Sequence, residues 1–263
     1  MKSVLDFTRA KREEKPVVVV AAYDALMARL LAASEVDAIL VGDSVAMVVH
    51  GFPSTVHATT EMMCFHTAAV RRGAPKAVVI ADMPFLSVRQ GRDEAFRVAG
   101  ALMQAGATAV KLEGVTGHED VITHLIGSGI PVMGHLGLMP QSVNQLGGYR
   151  LQGRTPEAAE RLRADALALE KLGTFSLVLE CVSEALAGEI TEALSIATIG
   201  IGAGAKTDGQ VLVITDLLGF DATFHPKFVR RYVEGHTTML AAVNSFARDV
   251  RAGKFPAAEE ILA

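Results

Sequence analysis

Short, almost continuous hydrophobic runs recur along this chain, and most are followed by a stretch with helical periodicity. Runs of this kind are typical of parallel strands buried on both faces, because helices cover each side of such a sheet. Eight runs are therefore predicted to be strands: residues 17–22, 36–41, 77–82, 107–114, 130–134, 175–180, 196–201 and 211–214.

Amphipathic stretches between these runs predict helices that connect the strands. Asp24 is placed to cap a helix over residues 25–33, because its side chain can accept hydrogen bonds from the first free backbone amides. Thr155 and Pro156 precede a strongly periodic helix over residues 157–172 and suit its first turn. The other predicted helices are residues 60–71, 93–104, 119–126, 183–194, 226–232 and 236–251.

The alternation of strands and helices predicts an α/β fold, a (β/α)8 TIM barrel. Right-handed strand–helix–strand connections make a closed parallel barrel the simplest topology for this order. The length of 263 residues suits such a barrel, which typically has about 250. No linker or shift in composition marks a boundary, so we expect residues 1–263 to form a single barrel domain with an N-terminal extension and C-terminal helices.

Acidic residues stand at the ends of four predicted strands. These residues are Asp43, Asp82, Glu113 and Glu180. In a (β/α)8 barrel the carboxyl ends of the strands meet at one mouth, where catalytic groups lie. Converging carboxylates repel one another unless a cation neutralises them, and oxygen ligands without His or Cys favour Mg2+ over zinc. The alternative for any one acid is a structural role, as a helix cap or as a partner of Lys111.

Lys111 and Glu113 lie on one face of the fourth predicted strand, because side chains alternate along a strand. The pair is either a structural ion pair or part of a charged site. Within a site, Lys111 could stabilise an oxygen anion as a point charge or form a Schiff base with a carbonyl. Metal and imine activation of one carbonyl are redundant, so the first role is favoured.

Glu180 ends an entirely apolar run, and His135 begins a long Gly-rich segment over residues 136–154. Apolar surroundings make a carboxylate a stronger base, as proton abstraction next to a carbonyl requires. The alternative for Glu180 is a structural acid bonded to backbone amides. His135 is a candidate for lining the pocket, and a segment as long as residues 136–154 is often a lid or a binding loop.

Composition and charge exclude several classes of function. The net charge of -4 and a pI near 6.1 give no general attraction to nucleic acid or to anionic membrane. Residues 1–15 lack the apolar core of a signal peptide, and no uncharged run is long enough to span a bilayer. Cys64 and Cys181 fall in different predicted elements, which predicts free thiols and a cytoplasmic protein.

Many ordered stretches of the chain resemble the ketopantoate hydroxymethyltransferase (3-methyl-2-oxobutanoate hydroxymethyltransferase) family. Together they run through most of the sequence, which makes the resemblance more specific than any single stretch. The stretches are AAYD (21–24), LVGDS (40–44), HTAAVRRGA (66–74), ADMPF (81–85), VKLEG (110–114), GHLGL (134–138), PQS (140–142), GGY (147–149), VLECV (178–182), IGIGAG (199–204), TDGQ (207–210) and PKF (226–228).

The resemblance implies a Mg2+-dependent barrel enzyme with 5,10-methylenetetrahydrofolate as its one-carbon donor. The other substrate is 3-methyl-2-oxobutanoate, and the product is ketopantoate (2-dehydropantoate), in pantothenate and coenzyme A biosynthesis. Family members are cytoplasmic homo-oligomers, homodecamers in bacteria. The implied metal-binding residues are Asp43, Asp82 and Glu113, the implied contacts of the 2-oxo acid are Asp43, Ser44, Asp82 and Lys111, and the implied proton acceptor is Glu180.

Two other functions stay open on the residues alone. The first is a Mg2+-dependent lyase or mutase that forms an enolate from a small 2-oxo acid on a similar barrel. Such an enzyme would need no folate. The second is a non-catalytic sensor or barrel scaffold that keeps the pocket, which would bind the acid without breaking its C–H bond.

Overall fold

Eight parallel strands close into a barrel in the computed structural model, which describes residues 3–261, with Leu146 by its backbone alone. Each strand pairs with the next one in sequence, and this order confirms the predicted (β/α)8 barrel. The strands are β1 (Val17–Ala21), β2 (Ala38–Val41), β3 (Val78–Asp82), β4 (Ala109–Glu113), β5 (Val132–Gly137), β6 (Ser176–Glu180), β7 (Ala197–Ile201) and β8 (Gly209–Val213).

Helices alternate with these strands and agree with most of the predicted helical segments. The helices are α1 (Leu5–Arg12), α2 (Ala25–Ala32), α3 (Val45–Val48), α4 (Thr60–Gly73), α5 (Arg92–Gln104), α6 (Glu119–Gly127), α7 (Val143–Leu146), α8 (Pro156–Leu172), α9 (Glu184–Ala193), α10 (Ile214–Leu217) and α11 (Gly235–Arg251). Short 3-10 turns cover Thr55–His57, Pro140–Ser142 and Ala258–Glu260.

Burial and capping explain why the sequence forms these elements. Every residue of β2, β3, β4 and β5 is buried, as expected for a parallel sheet covered on both faces. The predicted caps are confirmed: Asp24 accepts hydrogen bonds from the first amides of α2, and Thr155 accepts one from Ala158 in α8.

A short helix in the predicted N-terminal extension, α1, was not expected from the sequence. Its Phe7 is fully buried and packs edge-on against Phe175, with ring centroids 5.2 Å apart. Lys11 donates to the Asp208 carboxylate at 2.9 Å and to the Thr191 carbonyl at 2.7 Å. Phe175 and Asp208 immediately precede β6 and β8, so α1 lies at the amino-terminal end of the barrel, opposite the mouth.

Two segments differ from the prediction. The helix predicted over residues 226–232 is wrong: these residues form turns and irregular backbone. The amide of Tyr232 donates to the carbonyl of Leu217 instead of to a carbonyl one helical turn earlier. Strand β5 extends through His135 to Gly137, where the sequence predicted its end at residue 134. The last residue of this strand, Gly137, packs closely against β6. A Cβ atom added to Gly137 would lie 2.2 Å from the carbonyl oxygen of Glu180, so the position requires glycine.

The chain divides into two compact units that meet in sequence between Leu212 and Val213. The first unit contains β1 to β7 and most of β8. In the second, the amides of Gly235 and His236 donate to the carbonyls of Leu218 and Gly219. The expectation of one domain over the whole chain stays a prediction. Over residues 3–261 no helix combines the length and the apolar character needed to cross a membrane, and both cysteines are free thiols.

Phe7→Ala is expected to lower the free energy of unfolding by about 3–5 kcal/mol, because it opens a cavity where α1 packs on the barrel. Leu5→Ala is the matched control, since Leu5 is on the same helix and is 75% exposed. The control should change stability by no more than about 0.5 kcal/mol. Denaturant unfolding of both variants measures the difference, and equal effects would contradict the packing role of Phe7.

Candidate active site

Two carboxylates meet where the neighbouring strands β2 and β3 end. Asp82 is the last residue of β3, and Asp43 follows β2 after a single glycine. The backbone amide of Asp43 donates to the Asp82 Oδ2 atom at 3.0 Å, and both residues are buried. Parallel pairing in register therefore brings together two acids that lie 39 residues apart in sequence.

Lys111 brings its ammonium group into contact with one of these carboxylates, that of Asp82. It pairs in register with Asp82 across β3 and β4, and its Nζ atom lies 3.0 Å from Asp82 Oδ1. Burial by itself lowers the pKa of Lys111, but Asp82, Asp43 and Glu113 outweigh that effect, so the pKa is raised. The lysine is protonated and is therefore a poor nucleophile for a Schiff base.

The imidazole of His135 connects the lysine to two more acids. Its Nδ1 atom lies 3.3 Å from Lys111 Nζ and 3.7 Å from Glu113 Oε1, and its Nε2 atom lies 3.2 Å from Glu180 Oε2. The last contact is close but lacks the angle of a hydrogen bond. Burial and the charge of Lys111 hold the pKa of His135 well below its usual range, so the ring is neutral.

Asp43, Glu113 and Glu180 hold their protons more tightly than free acids do, since the pKa of each is raised. Burial, followed by the charge of Asp82, raises the pKa of Asp43 to about 7. Burial, followed by the charge of Asp43, raises the pKa of Glu113 well above its usual value. Burial raises the pKa of Glu180 to about 7, although Lys111 opposes this shift. A carboxyl group tuned in this way is suited to proton transfer near neutral pH.

Ser44 and two side chains without a predicted role complete the surroundings. Ser44 follows Asp43, and its hydroxyl group lies 2.8 Å from the Tyr23 hydroxyl group. Gln141 donates from its side-chain amide to Asp43 Oδ2 at 2.7 Å. The Tyr149 hydroxyl group donates to the sulfur of Met47 at 3.7 Å. Gln141 and Tyr149 belong to the long Gly-rich segment predicted to be a lid or binding loop. That prediction was the only indication in the sequence that these two residues lie near the site.

The arrangement fits a hard divalent cation held mainly by Asp43 and Asp82. Asp82 Oδ1 is buried and accepts no hydrogen bond, although Lys111 is close. Within residues 3–261, no three His, Cys, Asp or Glu side chains form a ready-made metal cage. Mg2+ usually takes only one or two protein carboxylates and completes its shell with water and substrate oxygens.

A cavity of about 710 Å³ opens beside the mouth. Part of its wall is formed by Gly114, which follows β4, and by Gly137, which ends β5. The first turns of α8 form another part. Two arginines, Arg89 and Arg161, also line it. The cavity therefore adjoins the strand ends that carry Glu113 and His135.

Comparison with known sequences gives matches over almost the whole chain. The sequence profile of the ketopantoate hydroxymethyltransferase family matches residues 2–258. The 3-methyl-2-oxobutanoate hydroxymethyltransferase of Bdellovibrio bacteriovorus is 49% identical over 260 residues, covering 99% of both chains. The enzyme of the same name from Legionella pneumophila is 48% identical over 255 residues, covering 97% of both chains.

Solved structures with little sequence similarity have the same fold. A phosphoenolpyruvate phosphomutase from Streptomyces platensis has a TM-score of 0.65 at 12% identity and covers 99% of this chain and 92% of its own. A 2,3-dimethylmalate lyase of the PEP mutase/isocitrate lyase superfamily has a TM-score of 0.58 at 16% identity, with 100% and 93% covered. At such low identity these likenesses concern the barrel alone.

Lys111→Met is expected to lower the free energy of unfolding by about 3–5 kcal/mol in metal-free buffer, because buried carboxylates then lose their cationic partner. Lys171→Met serves as the control, since Lys171 is exposed at the end of α8. Its effect should stay within about 0.5 kcal/mol. Denaturant unfolding in the presence of a chelator measures both, and a small effect at Lys111 would show that the acids do not depend on its charge.

Proposed function

The chain belongs to the ketopantoate hydroxymethyltransferase family, and on that premise we propose that it converts 3-methyl-2-oxobutanoate to ketopantoate with 5,10-methylenetetrahydrofolate as the one-carbon donor. The observation that carries the proposal is the position of Glu180, a half-buried carboxyl group with a raised pKa, across His135 from the centre formed by Lys111 and the aspartates. A base facing a polarising centre is what proton abstraction next to a keto group requires.

The 2-oxo acid is proposed to bind at Asp43, Ser44, Asp82 and Lys111. Its carboxylate and keto oxygens face the Lys111 ammonium group, which offsets their charge. Asp43 and Asp82 would hold Mg2+, with Glu113 bound either directly or through water. When bound, Mg2+ supplies Lewis-acid polarisation of the keto group, worth several kcal/mol.

Glu180 is proposed to take the proton from C3 of the substrate. The C3–H bond breaks, its electron pair forms the enolate, and the proton passes to the carboxylate of Glu180. Lys111 stabilises the negative oxygen, and neutral His135 lines the pocket beside the base. The enolate carbon then forms a bond to the methylene carbon of the folate, one of the two C–N bonds of that carbon breaks, and the released nitrogen takes up a proton. Water then displaces the second nitrogen: its oxygen bonds to the methylene carbon and its proton passes to the nitrogen, which gives the hydroxymethyl product and tetrahydrofolate.

The cavity next to the mouth is proposed to take part of the folate. Its volume of about 710 Å³ falls within the range of about 300–1,000 Å³ common for small-molecule sites. Arg89 and Arg161 line the cavity and are placed to pair with the carboxylates of the acidic tail of the folate. Family resemblance further supports a cytoplasmic homo-oligomer, a homodecamer in bacteria, that acts in pantothenate and coenzyme A biosynthesis.

Incubation of the purified chain with both substrates should yield ketopantoate, and a chelator should abolish its formation until Mg2+ is restored. Mass spectrometry of the product measures the outcome. Turnover of the 2-oxo acid without folate would favour a lyase or mutase instead. Binding of the 2-oxo acid without exchange of its C3 hydrogen would favour a sensor.

Glu180→Gln is expected to slow exchange of the C3 hydrogen with solvent deuterium by about 10²–10⁴-fold, because the amide cannot accept the proton. NMR of 3-methyl-2-oxobutanoate with Mg2+ and without folate follows this step alone. The control is Glu192→Gln, on the exposed side of α9, which should exchange at the parent rate. Exchange at the parent rate in the Glu180 variant would remove it as the base.

A further inference from the structure

One residue from the loop after β5 contacts the ends of three other strands, two with its side chain and one with its backbone amide. The side-chain amide of Gln141 donates to Asp43 Oδ2 at 2.7 Å and to the carbonyl of Met83 at 2.9 Å. Its backbone amide donates to Glu113 Oε2 at 3.2 Å. Gln141 therefore joins residues that follow β2 and β3 to the last residue of β4.

The backbone around Gln141 is fixed by the strand that carries Glu180. The amide of Leu138 donates to the carbonyl of Glu180 at 2.8 Å, and the amide of Gln152, at the far end of the segment, donates to the carbonyl of Cys181 at 2.7 Å. Pro140–Ser142 forms a 3-10 turn between these two anchors. Hydrogen bonds to the backbone of Glu180 and Cys181 therefore hold the segment on both sides of Gln141.

The distribution of donors shows why this glutamine matters to the acids. Lys111 lies against Asp82, at 3.0 Å. In the described part of the chain, the hydrogen bond on the Asp43 carboxylate comes from the Gln141 side chain, and Glu113 accepts from its backbone. Carboxylates that bind a metal are usually oriented by such neighbouring donors, whose loss costs about 10–100-fold in metal affinity or activity.

We propose that Gln141 is a positioning residue that orients Asp43, by its side-chain amide, and Glu113, by its backbone amide, for the divalent cation and the 2-oxo acid. The inference rests on the proposed function for the identity of these ligands. An amide suits the task because it donates hydrogen bonds without charge. A lysine or arginine at this position would repel the cation, and a carboxylate would repel Asp43.

Isothermal titration of Mg2+ into the parent protein, Gln141→Ala and Gln141→Leu tests the orientation of Asp43. Leucine is close to glutamine in volume but has no donor, so both variants should bind Mg2+ about 10–100-fold more weakly. Gln104→Ala, at the exposed end of α5, should stay within about twofold of the parent. Asp43→Asn provides the reference for loss of a ligand.

A split in kinetic constants separates positioning from a merely structural role. In the deuterium-exchange assay at Mg2+ concentrations below saturation, added Mg2+ should restore part of the rate of both Gln141 variants. At saturating Mg2+, the KM for the 2-oxo acid should stay raised in both variants. Parent-like Mg2+ affinity in Gln141→Leu, with a loss only in Gln141→Ala, would show that the volume of the side chain matters and would overturn the proposal. Lower thermal stability with unchanged Mg2+ affinity in both variants would overturn it as well.

The outcomes also separate this proposal from the proposed function. A parent protein that binds Mg2+ with the expected Gln141 dependence, yet forms no ketopantoate, would support the positioning role and reject the reaction. A parent protein that forms ketopantoate with Mg2+ affinity independent of Gln141 would do the reverse. A parent protein that binds no Mg2+ would reject the positioning role.

Discussion

The contact between Lys111 and Asp82 is the interaction on which the mouth of the barrel depends. Asp43, Asp82, Glu113 and Glu180 all interact electrostatically with this ammonium group, which offsets part of their mutual repulsion. Burial is the main cause of the raised pKa values of Asp43, Glu113 and Glu180, and neighbouring carboxylates add to the shift at Asp43 and Glu113. The site is thus built with a deficit of positive charge that a divalent cation can fill.

The barrel topology converts this electrostatic requirement into geometry. Each acid closes or follows a different strand, and parallel pairing in register brings the strand ends to one mouth. Neighbouring strands then set which groups touch: Lys111 pairs with Asp82 across the β3–β4 boundary instead of with Glu113 on its own strand. Helix α1 packs at the amino-terminal end of the barrel, so the charged groups lie at the other end, on the carboxyl ends of the strands and the loops that follow them.

Much of the fold and of the charged centre could be predicted from the sequence because both follow from local pattern. Apolar runs that end in an acid located Asp43, Asp82 and Glu180. Gln141 escaped prediction because its importance lies in contacts across 98 residues of sequence, which no local pattern encodes. Helix α1 was missed because a short charged segment has little helical stability of its own, and its helix depends on the burial of Phe7 against the barrel end.

Gly137 shows how a residue without functional groups can govern one that has them. The Glu180 peptide lies so close to it that even a methyl group would collide with the carbonyl oxygen, and its φ of +92° is itself unfavourable for other residues. The backbone position of Glu180, the proposed base, therefore depends on the absence of a side chain at Gly137 on the neighbouring strand. A search for important positions that considered only reactive side chains would overlook Gly137, whose lack of a side chain leaves room for the Glu180 peptide.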